Sequence, residues 1–237
     1  MTPAQSSPAK ATSVPLFSDL ARYRAEAPTL QRVTVRHDLI GRHGDMAPLL
    51  QRVLESKGRE RHLRVLDIGA YDRALGRSLE RIHLPCKYSS LDIDDSTAHD
   101  FNSLDEVNEV FDVVGMFELI EHLSYEQVGE LFRRAYDILS PDGILLISTP
   151  NPSHAARYFS DVSHTQHWPP NDLFALLRHH GFAEAQMFGV IYMPSSLVRT
   201  YVTYVRNLAW RLLGFETCGG ILAIARKGRA DDVLRGF

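Results

Sequence analysis

The sequence predicts an α/β protein with a doubly wound, mostly parallel sheet. Runs of residues typical of buried parallel strands recur at 65–68, 88–91, 111–117 and 144–148. Segments with helical periodicity separate several of these runs, and this alternation indicates a parallel sheet covered by helices. The 237 residues, of which 44% are apolar, can bury one good core and are most simply one domain.

Composition excludes some classes of function. The net charge of −3 predicts no dominant attraction to nucleic acid, and no nucleic-acid partner is expected. Cys86 and Cys218 lack the spacing of metal ligands, so they are expected to be reduced core residues of a cytoplasmic protein. Residues 1–17 are rich in Pro, Ser, Ala and Thr and lack the apolar run of a signal peptide, which predicts a disordered tail.

The predicted domain spans residues 18–227, and a charged tail follows at 228–237. It begins with helices in the region 18–60, one starting at Ser18 and one at 46–56 with Asp45 as its N-cap. These helices are expected to pack beside or over a crevice at the edge of the sheet.

The stretch Val65–Gly76 predicts that crevice. Val65, Leu66 and Ile68 form a buried strand, Gly69 allows a sharp turn, and helical periodicity follows. In a doubly wound sheet a nucleotide-like cofactor lies outside the carboxyl end of such a strand. Asp92 ends the next predicted strand, where its carboxylate could accept hydrogen bonds from two ribose hydroxyls.

At these residues the sequence resembles the class I S-adenosylmethionine-dependent methyltransferases. Their first motif is hydrophobic-hydrophobic-Asp-x-Gly-x-Gly-x-Gly; Asp67 and Gly69 match it, while Tyr71 and Arg73 replace the second and third glycines. The resemblance implies a Rossmann-like, seven-stranded sheet with an antiparallel edge strand, and S-adenosylmethionine as the cofactor. It implies these cofactor-binding residues: Asp67, Gly69, Ala70, Tyr71, Asp92, Ile93, Asp100, Phe101, Phe117 and Glu118.

Tyr71 at a glycine position leaves two possibilities. Either the loop is displaced so that its backbone or the phenol still lines the methionine end of the cofactor, or the site is blocked. The segment from Asp92 to Asp100 is also too short for a crossover helix, so a loop or single turn is expected there. The resemblance places Asp100 near the adenine amino group and Phe101 against the adenine ring.

The most specific stretch follows the strand Phe111–Phe117. The sequence Glu118-Leu119-Ile120-Glu121-His122-Leu123 resembles the fourth-strand motif of small-molecule and glycan methyltransferases. If this stretch is helical, Glu118, Glu121 and His122 share one face near the methyl donor. They also resemble a Mg²⁺ ligand set of ubiquinone-pathway and small-RNA 2′-O-methyltransferases, although no metal is expected here.

Two histidines are candidates for the catalytic base. Imidazole titrates near neutrality, so His122 or His164 could take the proton of a hydroxyl acceptor, together with Glu121 and with Asp161 as a possible orienting group. The polar and aromatic loop 153–167 is long enough to be a substrate loop. With Pro169, Pro170 and Gly181-Phe182 it is similar to methyltransferases that modify sugars of polysaccharides.

The last two predicted strands, 187–192 and 219–225, are expected to form an antiparallel hairpin at the sheet edge, with a helix inserted between them at 195–213. This helix has an apolar arc and an arc with three arginines and no acidic residue. The apolar arc is expected to pack on the domain or on a second copy in a homodimer. Contact with a membrane surface, or a lid over the acceptor site, is the alternative.

The sequence therefore predicts an enzyme that O-methylates a sugar or another small-molecule hydroxyl. Two rivals are a nicotinamide-dependent oxidoreductase and a noncatalytic cofactor-binding or interaction protein on the same fold. The oxidoreductase is disfavoured because Tyr71 and Arg73 interrupt the glycine fingerprint that a dinucleotide requires.

Overall fold

A computed structural model describes residues 17–36, 51, 62–83, 85–94, 96–193, 196–214 and 218–228. Within these ranges, seven strands form one sheet. The strands are β1 Gln31–Arg36, β2 Leu63–Ile68, β3 Cys86–Leu91, β4 Phe111–Phe117, β5 Leu139–Pro150, β6 Glu184–Met193 and β7 Gly220–Arg226.

The same ranges contain six α-helices and two short 3-10 turns. The helices are α1 Phe17–Ala25, α2 Ala74–Arg81, α3 Tyr125–Ile138, α4 Ala155–Tyr158, α5 Pro170–His179 and α6 Leu197–Leu212; the 3-10 turns are Leu104–Glu106 and Ile120–His122. Ser124 caps α3 as the sequence predicted, and Gln127 completes a capping box by bonding back to the Ser124 backbone.

The strand order is β1-β6-β7-β5-β4-β2-β3, and every pairing is parallel except those of β7. The predicted seven-stranded, mostly parallel sheet is therefore confirmed. The antiparallel strand, expected at the edge, stands between β5 and β6. It is internal because it pairs with both of them. Strand β1, in a region predicted to hold helices, pairs outside β6 and is the edge strand.

Alternate residues of the central strands face two separate cores. On one face, Leu66, Val114 and Leu145 pack in a cluster that includes buried residues of α3 and α5. On the other, Val65 and Val113 pack with the buried side of α2. Burial on both faces explains why these strands are nearly continuous apolar runs.

The described residues between β3 and β4 contain no α-helix, which confirms the prediction of a loop or single turn there. Residue 101 makes an isolated bridge to Leu91, and Leu104–Glu106 forms one 3-10 turn. Because β3 and β4 lie on opposite sides of β2, the sheet has its switch point here, and a crevice opens at the carboxyl ends of these strands.

Several predictions fall on residues outside the described ranges, namely most of the tail 1–17, the helix at 46–56 except Gln51, its cap Asp45, and the tail 229–237. Among the described helices, none combines the length and apolar character that crossing a membrane requires.

Candidate functional site

The loop after β2 keeps a glycine-like backbone although two of its residues are not glycine. Gly69, Tyr71 and Arg73 all have positive φ, at 73°, 38° and 60° respectively. The backbone N–H groups of Gly69 and Ala70 donate to the Leu91 carbonyl oxygen and hold the loop against β3. The Tyr71 side chain is 67% exposed and does not fill the crevice.

Asp92 fastens the same loop from the end of β3. Its Oδ2 accepts the Tyr71 N–H at 2.7 Å, and its Oδ1 accepts the Asp94 N–H at 3.0 Å. A carboxylate has about four acceptor positions. Asp92 lines the crevice, so its remaining positions are available to hydroxyl donors of a bound molecule.

The crevice has a volume of about 570 Å³, within the usual range for small-molecule sites. Of the residues predicted to bind a cofactor, Gly69, Asp92 and Ile93 line it. The sequence reasoning missed much of its wall, which comes from the β3–β4 connection, the segment after β4, and α3. These residues include Asn102, Ser103, Leu104, Asp105, Leu119, Leu123, Leu131 and Arg134. In the sequence, only the position of residues 102–105 after β3, at the switch point of the sheet, indicated that they could line the crevice.

Asp100 and Phe101 are not among the lining residues. Asp100 Oδ2 accepts hydrogen bonds from the backbone N–H of Ser90 at 2.8 Å and from its hydroxyl at 3.0 Å, and it pairs with Arg73 at 3.3 Å. Desolvation opposes ionisation, but the Ser90 hydrogen bonds and the Arg73 guanidinium hold the pKa of Asp100 below its usual value. Arg73, in place of a glycine, supplies the cation that holds Asp100 beside β3.

Asp67 lies beneath the loop rather than in the crevice. It is buried, and its Oδ2 accepts the Tyr88 hydroxyl at 2.9 Å. Burial raises the pKa of Asp67 to about 7, although the hydrogen bond from Tyr88 acts in the opposite direction. This hydrogen bond joins β2 to the neighbouring strand β3.

Glu118, Glu121 and His122 do not share a helical face. Glu118 has φ 50°, and the 3-10 turn begins only at Ile120. Glu118 accepts the Ser148 hydroxyl at 2.9 Å and pairs with Arg157 at 3.2 Å. Glu118 is therefore not part of the group that Glu121 and His122 form with His164, although its charge still acts on Glu121. Phe117, just before it, is partly buried against the α2-side core.

Glu121, His122 and His164 instead form a compact group, called the acid–imidazole cluster below. One ligand atom of each lies within 4.8 Å of those of the other two, and His122 Nε2 is 4.0 Å from Glu121 Oε1. Glu121 is fully buried; its Oε2 accepts the Thr149 hydroxyl at 3.0 Å, while Oε1 has no hydrogen-bond partner. Burial raises the pKa of Glu121 to about 8, and the Glu118 carboxylate adds to the rise.

Backbone hydrogen bonds bring His164 to this place. The N–H groups of Thr165 and Gln166 donate to the Glu121 carbonyl oxygen at 2.9 and 3.1 Å, and Trp168 Nε1 donates to the Ile120 carbonyl oxygen at 3.0 Å. The loop that was predicted to bind substrate is thus fastened to the 3-10 turn.

The two imidazoles are oriented by carbonyl oxygens and not by Asp161. His164 Nδ1 lies 2.8 Å from the Tyr158 carbonyl oxygen, and His122 Nδ1 lies 3.3 Å from that of Ser163. Only a protonated Nδ1 can donate to a carbonyl, so the lone pair of each neutral ring is on Nε2. Asp161 accepts hydrogen bonds from the Ser163 backbone and hydroxyl instead.

Along the chain the cluster is next to the wall of the crevice, and its imidazoles and carboxyl group can take part in proton transfer. Leu119 and Leu123, which flank Glu121 and His122 in the sequence, both line the crevice. The group of one carboxylate oxygen and two imidazole nitrogens also suits a divalent cation.

Comparison with known proteins agrees with this geometry. A family model described as a methyltransferase domain matches residues 37–186. No curated protein matches the chain. Among solved structures, an S-adenosylmethionine-dependent methyltransferase from Archaeoglobus fulgidus is similar with a TM-score of 0.58 at 20% identity, over 77% of this chain and 93% of its own.

Two further structures show the same fold. An S-adenosylmethionine-dependent methyltransferase from Mesorhizobium loti has a TM-score of 0.52 at 17% identity, over 76% of this chain and 97% of its own. A putative methyltransferase in complex with the Trm112 methyltransferase activator of Haloferax volcanii has a TM-score of 0.55 at 14% identity, over 78% of this chain and 91% of its own.

The left-handed backbone at Tyr71 predicts an order of stability between two variants. Tyr71→Gly should exceed Tyr71→Ala in free energy of unfolding by about 1 kcal/mol, because alanine keeps the Cβ that disfavours this conformation. Urea denaturation measures the difference. At Glu80, an exposed position inside α2, the order should be reversed because glycine disfavours a helix. Alanine equal to or better than glycine at position 71 would contradict the left-handed turn.

The raised pKa of Asp67 predicts a stability that falls as the pH rises. Protonated Asp67 favours the folded state, and this contribution is complete below the unfolded pKa of about 3.9 and lost as the pH passes about 7, amounting to at most about 4 kcal/mol. Asp67→Asn should therefore reduce the fall in unfolding free energy between about pH 5 and pH 8. The exposed Asp137→Asn serves as the control. An equal fall in wild type and Asp67→Asn would show that Asp67 is not the titrating group.

Proposed function

Because the chain belongs to the methyltransferase domain family, we propose that it transfers a methyl group from S-adenosylmethionine to a hydroxyl of a sugar or another small molecule. The family match confirms the predicted methyltransferase and its S-adenosylmethionine cofactor. It also removes the oxidoreductase rival. The hydroxyl acceptor is the new part of the proposal.

The crevice supports the binding of the cofactor. Asp92 is fixed by two backbone N–H groups at 2.7 and 3.0 Å and still has acceptor positions for two ribose hydroxyls. Ile93 and Leu104 offer apolar surface beside it for the adenine ring. The methionine end would then extend past Gly69 toward Leu119, at the side where the acid–imidazole cluster lies.

The single observation that supports a hydroxyl as the acceptor is the pair of imidazoles beside a buried carboxyl group. An alcohol is a poor nucleophile until it loses its proton, so an O-methyltransferase benefits from a base at the acceptor. His164 is suited to this role because the Tyr158 carbonyl fixes its Nδ1–H at 2.8 Å and leaves Nε2 to accept a proton.

The proposed reaction is a displacement at the methyl carbon. The acceptor oxygen forms a bond to the methyl carbon and gives its proton to His164 Nε2. The bond between that carbon and the sulfonium sulfur breaks, and the sulfur keeps the electron pair as a neutral thioether. His164 then returns the proton to water, and the protein's main contributions are orientation and proton removal.

The cluster also fits a divalent cation, for which Glu121 Oε1, His122 and His164 would supply the ligands. When bound, such an ion would act as a Lewis acid on the acceptor oxygen. Titration calorimetry of the wild type with Mg²⁺ and Mn²⁺, and with Glu121→Gln as the ligand-deficient variant, tests this role. Full methyl transfer after treatment with a chelator would exclude a role for a cation in the reaction.

Removal of the Asp92 carboxylate should weaken cofactor binding. Asp92→Ala is expected to lower the affinity for S-adenosylmethionine by ~10-fold or more, in line with the free energy of charged hydrogen bonds. Calorimetry measures this loss, with Asp94→Ala as the control because the Asp94 carboxylate is bonded to the Ser96 backbone. Unchanged affinity in Asp92→Ala would remove Asp92 from the site, and a wild type that binds neither S-adenosylmethionine nor S-adenosylhomocysteine would favour the noncatalytic rival.

Loss of the proposed base should lower the rate of transfer without affecting cofactor binding. Nucleotide sugars and methyl glycosides are incubated with radiolabelled S-adenosylmethionine, and products are analysed by mass spectrometry. With an acceptor so identified, His164→Ala should lower the rate by ~100-fold or more. His167→Ala is the matched control, because His167 lies in the same loop and stacks on Tyr158. An equal effect of both variants would indicate a structural role for the loop instead.

A further inference from the structure

Helix α6 presents its apolar arc away from the protein. On a helical projection of about 100° per residue, its polar arc contains Thr200, Thr203, Asn207 and Trp210, and these are the half-buried residues. The apolar arc on the opposite side is exposed, to 87% at Leu197. The apolar arc therefore does not pack on the domain as expected, because the polar arc is the side of the helix that faces the domain.

The exposed apolar surface is large. Of the fourteen large apolar side chains exposed among the described residues, nine belong to this one segment. They are Leu197, Val198, Tyr201, Val202, Tyr204, Val205, Leu208, Leu212 and Leu213. A contiguous patch of this kind marks an interaction surface, whereas scattered apolar residues do not.

Cationic residues border the patch on both sides. Arg199 and Arg206 lie along one border of the apolar arc and Arg211 along the other, and all three are exposed. Residues 196–214 contain no Asp or Glu, although the chain as a whole has a net charge of −3. This segment thus has three positive charges and no carboxylate of its own to balance them.

This charge pattern separates the two partners that an apolar helix face can have. In a symmetric dimer the same surface meets itself, so the arginines of both copies would come together without a carboxylate from either helix. An anionic lipid surface would instead receive the apolar side chains among its acyl chains and pair the arginines with its phosphates. We propose that α6 binds the surface of an anionic membrane through this face.

The proposed membrane surface lies at the functional edge of the sheet. Helix α6 is inserted between the end of β6 and the start of β7, at the edge where the carboxyl ends of β2 and β4 form the crevice. The Trp210 ring lies 6.0 Å from that of His154, in the segment whose Arg157 pairs with Glu118. Membrane binding would therefore bring the acceptor side of the crevice to the lipid surface.

Vesicle flotation of the full chain tests the proposal. The protein should float with vesicles of phosphatidylcholine and phosphatidylglycerol, bind weakly to phosphatidylcholine alone, and dissociate at high salt. Arg199→Gln, Arg206→Gln and Arg211→Gln together should lower binding by ~100-fold, at roughly fivefold for each charge. Val198→Ser, Tyr201→Ser, Val205→Ser and Leu208→Ser together should also abolish flotation, because they remove apolar surface.

The control variant loses three positive charges outside α6. Arg22→Gln, Arg32→Gln and Arg81→Gln replace three exposed arginines outside α6, and this variant should bind like the wild type. Failure of the wild type to bind anionic vesicles at low salt would overturn the proposal. A dimer in sedimentation velocity without lipid, lost in the apolar-face variant, would assign the face to a second copy. Neither outcome depends on methyl transfer.

Discussion

The fold of the cofactor side depends on one constraint, which is the left-handed backbone required in the turn after β2. Three alternate positions, Gly69, Tyr71 and Arg73, take positive φ, and only the first is a glycine. Each non-glycine residue in this conformation costs roughly 1–2 kcal/mol. The turn persists because hydrogen bonds to Leu91 and Asp92 determine its path from outside the turn itself.

The side chains at the two replaced glycine positions have different consequences. The Tyr71 ring extends into solvent and leaves the crevice open. The Arg73 guanidinium instead reaches Ser90 and Asp100 beside β3. A glycine at position 73 would leave Asp100 without its cation. The departure of this sequence from the family motif thus adds a cation to the hydrogen bonds with Ser90 that hold Asp100 beside β3.

Features that depend on residues close together in the sequence could be predicted, and features that depend on distant residues could not. Strands that are buried on both faces are continuous apolar runs, so they were predictable. The turn at Gly69 follows the end of β2 and Asp92 follows the end of β3, so both could be placed from the strands. Strand β1 was missed because its sequence, Gln-Arg-Val-Thr-Val-Arg, has the alternation of an edge strand and no such run. The prediction that Glu118, Glu121 and His122 share a helical face was wrong because helical spacing assumes a regular backbone, and Glu118 has positive φ.

Long-range contacts account for the other differences. The sequence identified His122 and His164 as candidates, but their convergence on Glu121 depends on hydrogen bonds from residues 165 and 166 across more than forty positions of the chain. The two arcs of α6 were also visible in the sequence. Which arc faces the domain is set by the surface that the helix meets, and periodicity alone contains no information about that surface.

The features of this molecule that are unfavourable in free energy lie together at one edge of the sheet. Tyr71, Arg73 and Glu118 account for three of the four non-glycine residues with positive φ among the described residues, and all lie at the carboxyl ends of β2 and β4. Glu121 is buried there with an unbonded oxygen. Such strain and burial persist only where the surrounding structure enforces them, and here the two cores and the parallel strands do so. Because these residues belong to neither core, packing alone does not account for their placement, which supports the proposal that the protein binds its ligands at this edge.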